Sequence, residues 1–466
     1  MELEPQRSAR EPPSFPPFQL SPLDHLMPSI YVTGFTSFAT SDQARGVSAL
    51  HDSIHRLIQQ RPPLGGEVVV SNTKTKTNIR KIQPVSSSQW QTSPIVRTKY
   101  DSLRSISSIA NPDVCNAEFR NIPCSQETRR AFPVMRFQAN VMSDGIILAT
   151  TFFHQAMDGG GYFNILRELA TLTQGLDYST AISSQQEEQA RRSLYQLQLQ
   201  DGQPRSTDSL NKSVDIPVSP INRQFLLSTN RLRKLHKMCQ EQIDYQDAPE
   251  NEPTLKVSSG DVECAAIWLC VARARIKAEL SSTENHTTSK RSSFATAINT
   301  RSTVVPQIPQ SYLGNAIVFA TASYAVPSMI ETTGSRWISL MADLAIRVQR
   351  SRRGVDKSEV DKLVSFINET QDWGELAFQV PEVLVSNMRH MKVYELDFGK
   401  TLGLVHGFEM HNTGVRGGCW IMPDLQTDHG NIAHRKLSLG IEPEAMVHFE
   451  GDSIIQWLLE KRTSKL

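Results

Sequence analysis

The sequence predicts an α/β protein of two domains, each built on a mixed β-sheet flanked by helices. Candidate strands and helices are mixed throughout the chain and show no repeat of fixed period. At 466 residues the chain is too long for one ordinary core, which favours two domains of roughly 200 residues each. Residues 181–220 are rich in Gln, Ser, Asp and Arg and contain almost no aromatic side chains, which is typical of a connection between domains.

The first half shows its elements in a clear order. Residues 44–58 place their apolar side chains on one helical face, and Arg61-Pro62-Pro63 ends that helix. Residues 67–70 predict a short strand, whereas the polar segment 71–93 indicates a strand and loops whose bounds the sequence does not resolve. Residues 146–153 are nearly all apolar and rich in β-branched and aromatic types, so they predict a strand that is buried on both faces.

The second half of the chain also mixes predicted helices and strands. A capped and largely apolar helix over residues 258–280 is expected in the core of a second domain. A helix over residues 338–348 ends in four arginines, which either hold phosphate or simply form a solvated helix end. The remaining predicted elements are helical turns at 187–199, strands at 224–227, 294–299 and 316–324, and a helix capped by 228–230; the four arginines are Arg347, Arg350, Arg352 and Arg353.

Composition excludes several classes of protein. The chain has 49 basic and 48 acidic residues, so no overall field attracts nucleic acid or an anionic membrane. The six cysteines form no C-x-x-C pair, which argues against a disulfide framework and against a zinc site. No apolar run approaches the about 18 residues of a membrane span, and the N-terminus lacks the apolar segment of a signal peptide. We expect a cytoplasmic protein without a bound metal.

The candidate catalytic residues directly follow the strand predicted over residues 146–153. His154 follows it, Asp158 comes four residues later, and three glycines from Gly159 precede an apolar helical segment. A histidine at the end of a buried strand can enter a cleft, although a satisfied core histidine is equally compatible with the pattern. Asp158 could orient the imidazole as in a catalytic dyad, or it could be a buried carboxylate with a separate ion-pair partner.

Other motifs in the chain are incomplete. The glycine triplet resembles a dinucleotide cradle, but Asn164 occupies the third glycine position. Gly399-Lys400-Thr401 lacks the upstream glycine of a P-loop, and the triplet from Asp397 lacks the other kinase motifs. No G-x-S-x-G segment supplies a serine nucleophile. The simplest remaining chemistry is a histidine base that helps an alcohol or amine attack an activated acyl group directly.

Seven segments, in order, make the chain similar to the BAHD acyltransferases, which transfer acyl groups from acyl-CoA in plant and fungal specialised metabolism. The match covers most of the chain, and its departures from the plant pattern indicate a fungal member similar to trichothecene O-acetyltransferases. The segments are Leu20–Asp24 (LSxxD), Arg61–Gly66 (YPLAGR), Phe153–Gly159 (HxxxDG), Ala265–Trp268 (ALIWR), Asn299–Arg301 (NxR), Tyr312–Asn315 (YxGN) and Tyr394–Gly399 (YxxDFGWG).

The resemblance implies two chloramphenicol-acetyltransferase-like domains, joined by a long crossover loop, with a tunnel between them. The domains would be residues 1–183 and 222–466, the crossover 184–221, and part of about 397–422 would return to the first domain. His154 would be the general base. The resemblance further implies structural roles for Asp158, paired with Arg301, and for Asp397 and Gly399; we assign Gly159, Asn315 and Thr401 to the tunnel.

The resemblance also implies an activity. We expect an acyl-CoA-dependent acyltransferase that moves an acyl group, such as acetyl, to a hydroxyl or, second, an amine of a small specialised metabolite. Acyl-CoA would be a co-substrate, with no tightly bound cofactor, and the protein would be a monomer. Lys400 stands where the family has tryptophan, and we expect it to reach solvent. The alternatives are a non-catalytic ligand-binding or scaffold protein of the same fold and a nucleotide-dependent enzyme.

Overall fold

In the computed structural model of the chain, the described residues are 11–110, 119–122, 131–177, 183–196, 220–246, 255–281, 291–330, 336–376, 378–411, 414–425, 432 and 434–459. The strands are β1 Phe18–Gln19, β2 Tyr31–Ala39, β3 Glu67–Ser71, β4 Ile79–Gln83, β5 Val96–Tyr100, β6 Ala131–Pro133, β7 Met135–Val141, β8 Gly145–Phe153, β9 Ile221–Ser228, β10 Arg291–Asn299, β11 Ile317–Ala325, β12 Val383–Asn387, β13 Gly407–Met410, β14 Gly418–Ile421 and β15 His434–Ile441. The helices are α1 Pro22–His25, α2 Gln43–Gln60, α3 Ser87–Thr92, α4 Gly159–Thr173, α5 Ser184–Gln196, α6 Thr229–Gln246, α7 Ser259–Ser281, α8 Val326–Ile330, α9 Arg336–Arg353, α10 Lys357–Glu369, α11 Gly399–Leu402, α12 Pro443–Glu450 and α13 Ser453–Leu458.

The first large sheet has the strand order β13-β2-β8-β7-β5. Strand β8 lies at its centre and every one of its side chains is buried, which confirms the strand predicted over residues 146–153. Helices α2 and α4 pack against each other and cover one face of the sheet, where their apolar stripes meet the strand side chains. Strand β13 comes from far along the chain and pairs antiparallel with β2 at the sheet edge.

The second large sheet has the order β11-β10-β12-β14-β15-β9 and mixes parallel and antiparallel pairs. Helix α7 lies in the core against this sheet, and Trp268 is fully buried there, as the apolar helix over residues 258–280 predicted. The fold is therefore the mixed α/β architecture that the sequence predicted. A smaller sheet, β1-β4-β3-β6, includes strand β4 of the segment 71–93, and helix α3 follows in the same segment.

The crossover segment is described only in part. Helix α5 accounts for the predicted helical turns up to residue 196 and packs on the start of the chain, where the Tyr195 hydroxyl donates a hydrogen bond to the Leu20 carbonyl. The rest of the predicted crossover up to residue 219, and also Cys115 and Cys124, lie outside the described residues. No helix in the described ranges combines the length and the apolar character that a membrane span requires.

Candidate active site

His154 lies immediately after β8, where the strand leaves the sheet. Its backbone N–H donates to the Ile30 carbonyl at 2.9 Å, and its own carbonyl accepts from Asn315 Nδ2 at 3.0 Å. The residue is partly exposed, although the Phe152 ring lies beside the imidazole at 6.4 Å between centroids. Burial lowers the pKa of His154, because the charged imidazolium loses hydration there. The arrangement favours a neutral ring that can accept a proton.

Asp158 caps helix α4, and its carboxylate binds partners other than the His154 imidazole. One carboxylate oxygen accepts from the Gly161 N–H at 2.9 Å and the other from the Ala316 N–H at 2.9 Å. Arg301 donates to both oxygens, at 2.9 and 3.0 Å, and both side chains are almost completely buried. The carboxylate thus occupies the N-terminus of α4, which leaves no room there for the phosphate cradle of a dinucleotide site.

Arg301 has a partner for each of its five N–H groups. Besides the two bonds to Asp158, it donates to the carbonyls of Tyr312 at 3.1 Å and Gly314 at 2.6 Å, and to Asn299 Oδ1 at 3.2 Å. Such a fully satisfied guanidinium offsets the high cost of burying its charge. Three of the sequence motifs therefore meet at one buried ion pair directly behind His154.

Asn315 connects a fourth motif to the histidine. Its backbone N–H and its Nδ2 both donate to Asp24 Oδ1 at 2.8 Å, and Nδ2 also donates to the His154 carbonyl. Asp24 itself closes a capping box with Ser21 at the start of α1. Because both amide hydrogens of Asn315 are used inside the protein, this side chain holds the His154 backbone and has no donor left for a substrate in the tunnel to which the sequence assigned it.

The glycine triplet has a different setting from the one the sequence suggested. Gly159 begins α4, so the triplet forms the first helical turn rather than a turn before the helix. A Cβ on Gly161 would lie 2.0 Å from the Leu313 carbonyl oxygen, and one on Gly160 would lie 3.1 Å from the Arg301 guanidinium. These two glycines permit close packing of α4 against the loop that carries Tyr312–Asn315. A Cβ on Gly159 would lie 3.2 Å from the Met391 Cε.

The loop Tyr394–Gly399, which matches the YxxDFGWG motif, is held by its own turn. Asp397 Oδ1 accepts from the Gly399 N–H at 2.8 Å, and Gly399 has a φ of +83°, which a glycine adopts without strain. Gln174 at the end of α4 donates to the Asp397 carbonyl at 2.8 Å, which attaches the loop to the first sheet's helices. Lys400 is exposed and Thr401 is partly exposed.

Among the four arginines at the end of α9, two are paired with carboxylates. Arg347 lies 3.4 Å from Asp343, and Arg352 lies 2.5 Å from the buried Asp261. In the described part of the chain no group of three or more His, Cys, Asp or Glu side chains is arranged to hold a metal ion.

Sequence reasoning missed how these residues connect. The motif Leu20–Asp24 was visible, but its contact with Asn315 was not, because 291 positions separate the two residues. Glu187 in α5, which accepts from the Leu313 N–H at 3.0 Å, lay in a segment that the sequence treated as a linker. A carboxylate that accepts from a backbone N–H of a loop far along the chain is a signal that only the fold reveals.

Comparisons with known proteins agree on one family. A family model described as "Transferase family" matches residues 8–453. The communesin N16 acyltransferase cnsK of Penicillium expansum is 29% identical, over 96% of this chain and 99% of that protein. The fumigaclavine B O-acetyltransferase easN of Aspergillus fumigatus is 25% identical, over 97% of this chain and 99% of that protein.

Solved structures share the fold. The structure of F. sporotrichioides TRI101 in complex with coenzyme A and T-2 superposes with a TM-score of 0.74 at 18% identity, covering 95% of this chain and 98% of that one. Vinorine synthase superposes with a TM-score of 0.63 at 14% identity, covering 97% of this chain and 95% of the other. At this level of identity the two likenesses concern architecture.

Proposed function

Because the chain belongs to the Transferase family, to which the BAHD resemblance pointed, we propose that it is an acyl-CoA-dependent acyltransferase that acts on a hydroxyl of a small specialised metabolite. Several relatives are named O-acetyltransferases, so acetyl is the acyl group we propose, with acetyl-CoA as the donor. The relative cnsK is named for a nitrogen position, which keeps an amine as the second acceptor type. The non-catalytic alternative is not favoured by these names.

In the proposed mechanism His154 acts as the general base. The imidazole takes the proton of the acceptor hydroxyl as its oxygen attacks the thioester carbonyl, which forms a C–O bond. The C–S bond then breaks, and the CoA thiolate leaves and takes the proton from the imidazolium. The observation that carries this role is the position of His154: it is partly exposed at a strand end, with a pKa lowered by burial and its backbone held by Asn315.

The residues around the base take supporting parts in the proposal. Asp158 and Arg301 fix the start of α4 and the loop behind His154 without touching the substrates. Asp397 and Gly399 shape the loop Tyr394–Gly399, and Thr401 in the adjoining helix α11 is the side chain we propose for the tunnel wall. We place the domain boundaries at 1–183 and 222–466, and the tunnel between the two large sheets.

Replacement of the base tests the proposal. His154→Ala is expected to fold normally and to lose acyl transfer by at least 100-fold, since a positioned base contributes about 100- to 10,000-fold. Transfer is measured by mass after incubation with a panel of acyl-CoA donors and candidate alcohols. His448→Ala is the matched control, because His448 and Asp452 repeat the same four-residue spacing near the C-terminus. Wild-type turnover by a folded His154→Ala protein would overturn the proposal.

A further inference from the structure

A polar cluster joins strands of the two large sheets. Glu409 in β13 accepts from Gln224 Nε2 in β9 at 2.9 Å and forms an ion pair with Lys436 in β15. The carboxylate is buried, being 4% exposed. This polar cluster attaches an edge strand of the first sheet to two strands of the second sheet.

Trp420 lies on the inner face of the second sheet. Its neighbours in β14, Cys419 and Ile421, are fully buried in the core with α7, so the alternation of a strand directs the Trp420 indole to the opposite face. Its cross-strand partners are two serines, Ser386 in β12 and Ser438 in β15. The small neighbours leave the ring partly exposed at the centre of the sheet.

The chain path connects Trp420 to the histidine. Met388 donates its N–H to the Ile421 carbonyl at 2.8 Å, and Met391, three residues on, lies against Gly159 at the start of α4. The indole itself packs against the hydrophobic core of the first sheet, which includes Phe152 just before His154. Its N–H makes no hydrogen bond with any described residue.

We propose that Trp420 is a specificity-determining residue of the acceptor site, and that it selects acceptors with a flat, aromatic or fused-ring skeleton. A partly exposed indole gains free energy when a planar apolar ring covers it. Methionine side chains in the apolar cluster against which it packs adapt to ring systems of different outline. This inference rests on the proposed function, because it names the acceptor class of the same reaction.

A pair of alcohols that differ only in flatness tests the inference. The probes are 2-naphthaleneethanol and its fully saturated decalin counterpart, each with acetyl-CoA. For the wild-type protein the KM of the flat alcohol is expected to be about tenfold lower, which corresponds to about 1.4 kcal/mol of stacking and burial. Trp420→Ala is expected to remove this difference with little change in kcat, and Trp420→Phe to keep part of it.

Trp457→Phe is the matched control, since Trp457 is partly exposed on the helical side of the same sheet and should leave the KM ratio unchanged. If Trp420→Ala does not fold, Trp420→Phe and quenching of tryptophan fluorescence by the naphthalene alcohol still measure the contact. Equal KM values for the two alcohols in the wild type, or an unchanged ratio in the Trp420 variants, would overturn the inference while acyl transfer continues. Failure of the wild type to transfer to any alcohol would overturn the proposed function itself.

Discussion

The Asp158–Arg301 ion pair determines what a single substitution does to this site. Removing one member leaves a buried charge without a partner, so Asp158→Asn and Arg301→Ala are each expected to lower the free energy of unfolding by about 3 to 5 kcal/mol. Urea unfolding followed by circular dichroism measures this loss. Arg192→Ala is the control, because Arg192 is 73% exposed in its pair with Glu188 and such pairs contribute about 0 to 1 kcal/mol. Unchanged unfolding of both buried-pair variants would contradict the expectation.

The pH dependence of turnover follows from the protonation of His154. Burial lowers the pKa of His154 below the ordinary value of 6.5, so the imidazole loses its proton at a lower pH than an exposed histidine does. We expect kcat/KM to be level near neutral pH and to fall only as the pH drops through the lowered pKa. A profile of kcat/KM from about pH 4 to 8 measures this. An acid limb centred above 6.5 would argue against His154 as the base.

For single residues, the sequence predicted the position of His154 at a strand end better than it predicted the contacts between the residues around it. A buried strand that ends in His154 is a local pattern, so it is visible in the chain. The partners of Asn315 and Asp24 are not visible, because their hydrogen bonds join segments that only the folded chain brings together. The ion pair of Asp158 with Arg301 was expected only from the family resemblance, since residue spacing left the dyad and the ion pair both open.

Helix α4 depends on a glycine for its position. Gly161→Ala would place a Cβ 2.0 Å from the Leu313 carbonyl oxygen, and a backbone atom cannot turn aside as the end of a flexible side chain can. We expect α4 to shift, the melting temperature to fall, and kcat to drop by about 10- to 100-fold. Melting and acyl-transfer assays measure both effects. Gly451→Ala is the control, since the nearest atom to its Cβ would be 3.5 Å away. Equal effects of the two substitutions would contradict this role.

Elements with a strong apolar period were predictable, and weakly patterned ones were not. Helix α2 and the long helix α7 appear within a few residues of their predicted bounds, because their buried faces require apolar side chains. The bounds of strand β4 were not resolved, since it carries polar side chains that remain partly exposed. Helix α3 was missed, since it is one short helix stabilised by a capping box. Local composition cannot separate such edges from loops.

The contact between Glu409 and Lys436 couples the two large sheets. Glu409→Gln or Lys436→Met alone is expected to destabilise the protein by about 3 to 5 kcal/mol, because either leaves a desolvated charge. The double variant is expected to cost much less than the sum of the two, since it removes both charges together. Urea unfolding of the four proteins in this cycle measures the coupling. Additive effects would show that the two groups do not interact across the sheets.

The arrangement of the whole molecule was predictable only in class. Mixed strands and helices indicated an α/β fold, but strand order depends on pairings between distant segments, such as β13 with β2. No residue pattern marked Gly407–Met410 as an edge strand of the first sheet. The similarity to a known family supplied the return of residues 397–422 as an expectation, which periodicity alone does not provide.

The late position of β13 has a consequence for biosynthesis. Strand β2 has β8 on one side, but its other edge stays unpaired until β13 leaves the ribosome. Roughly 370 residues separate Ala39 from Gly407, which is on the order of half a minute of translation. During that time a nascent chain presents an apolar strand edge that can pair with a neighbouring chain. We therefore expect the yield in a heterologous host to rise when chaperones protect the nascent chain during this time.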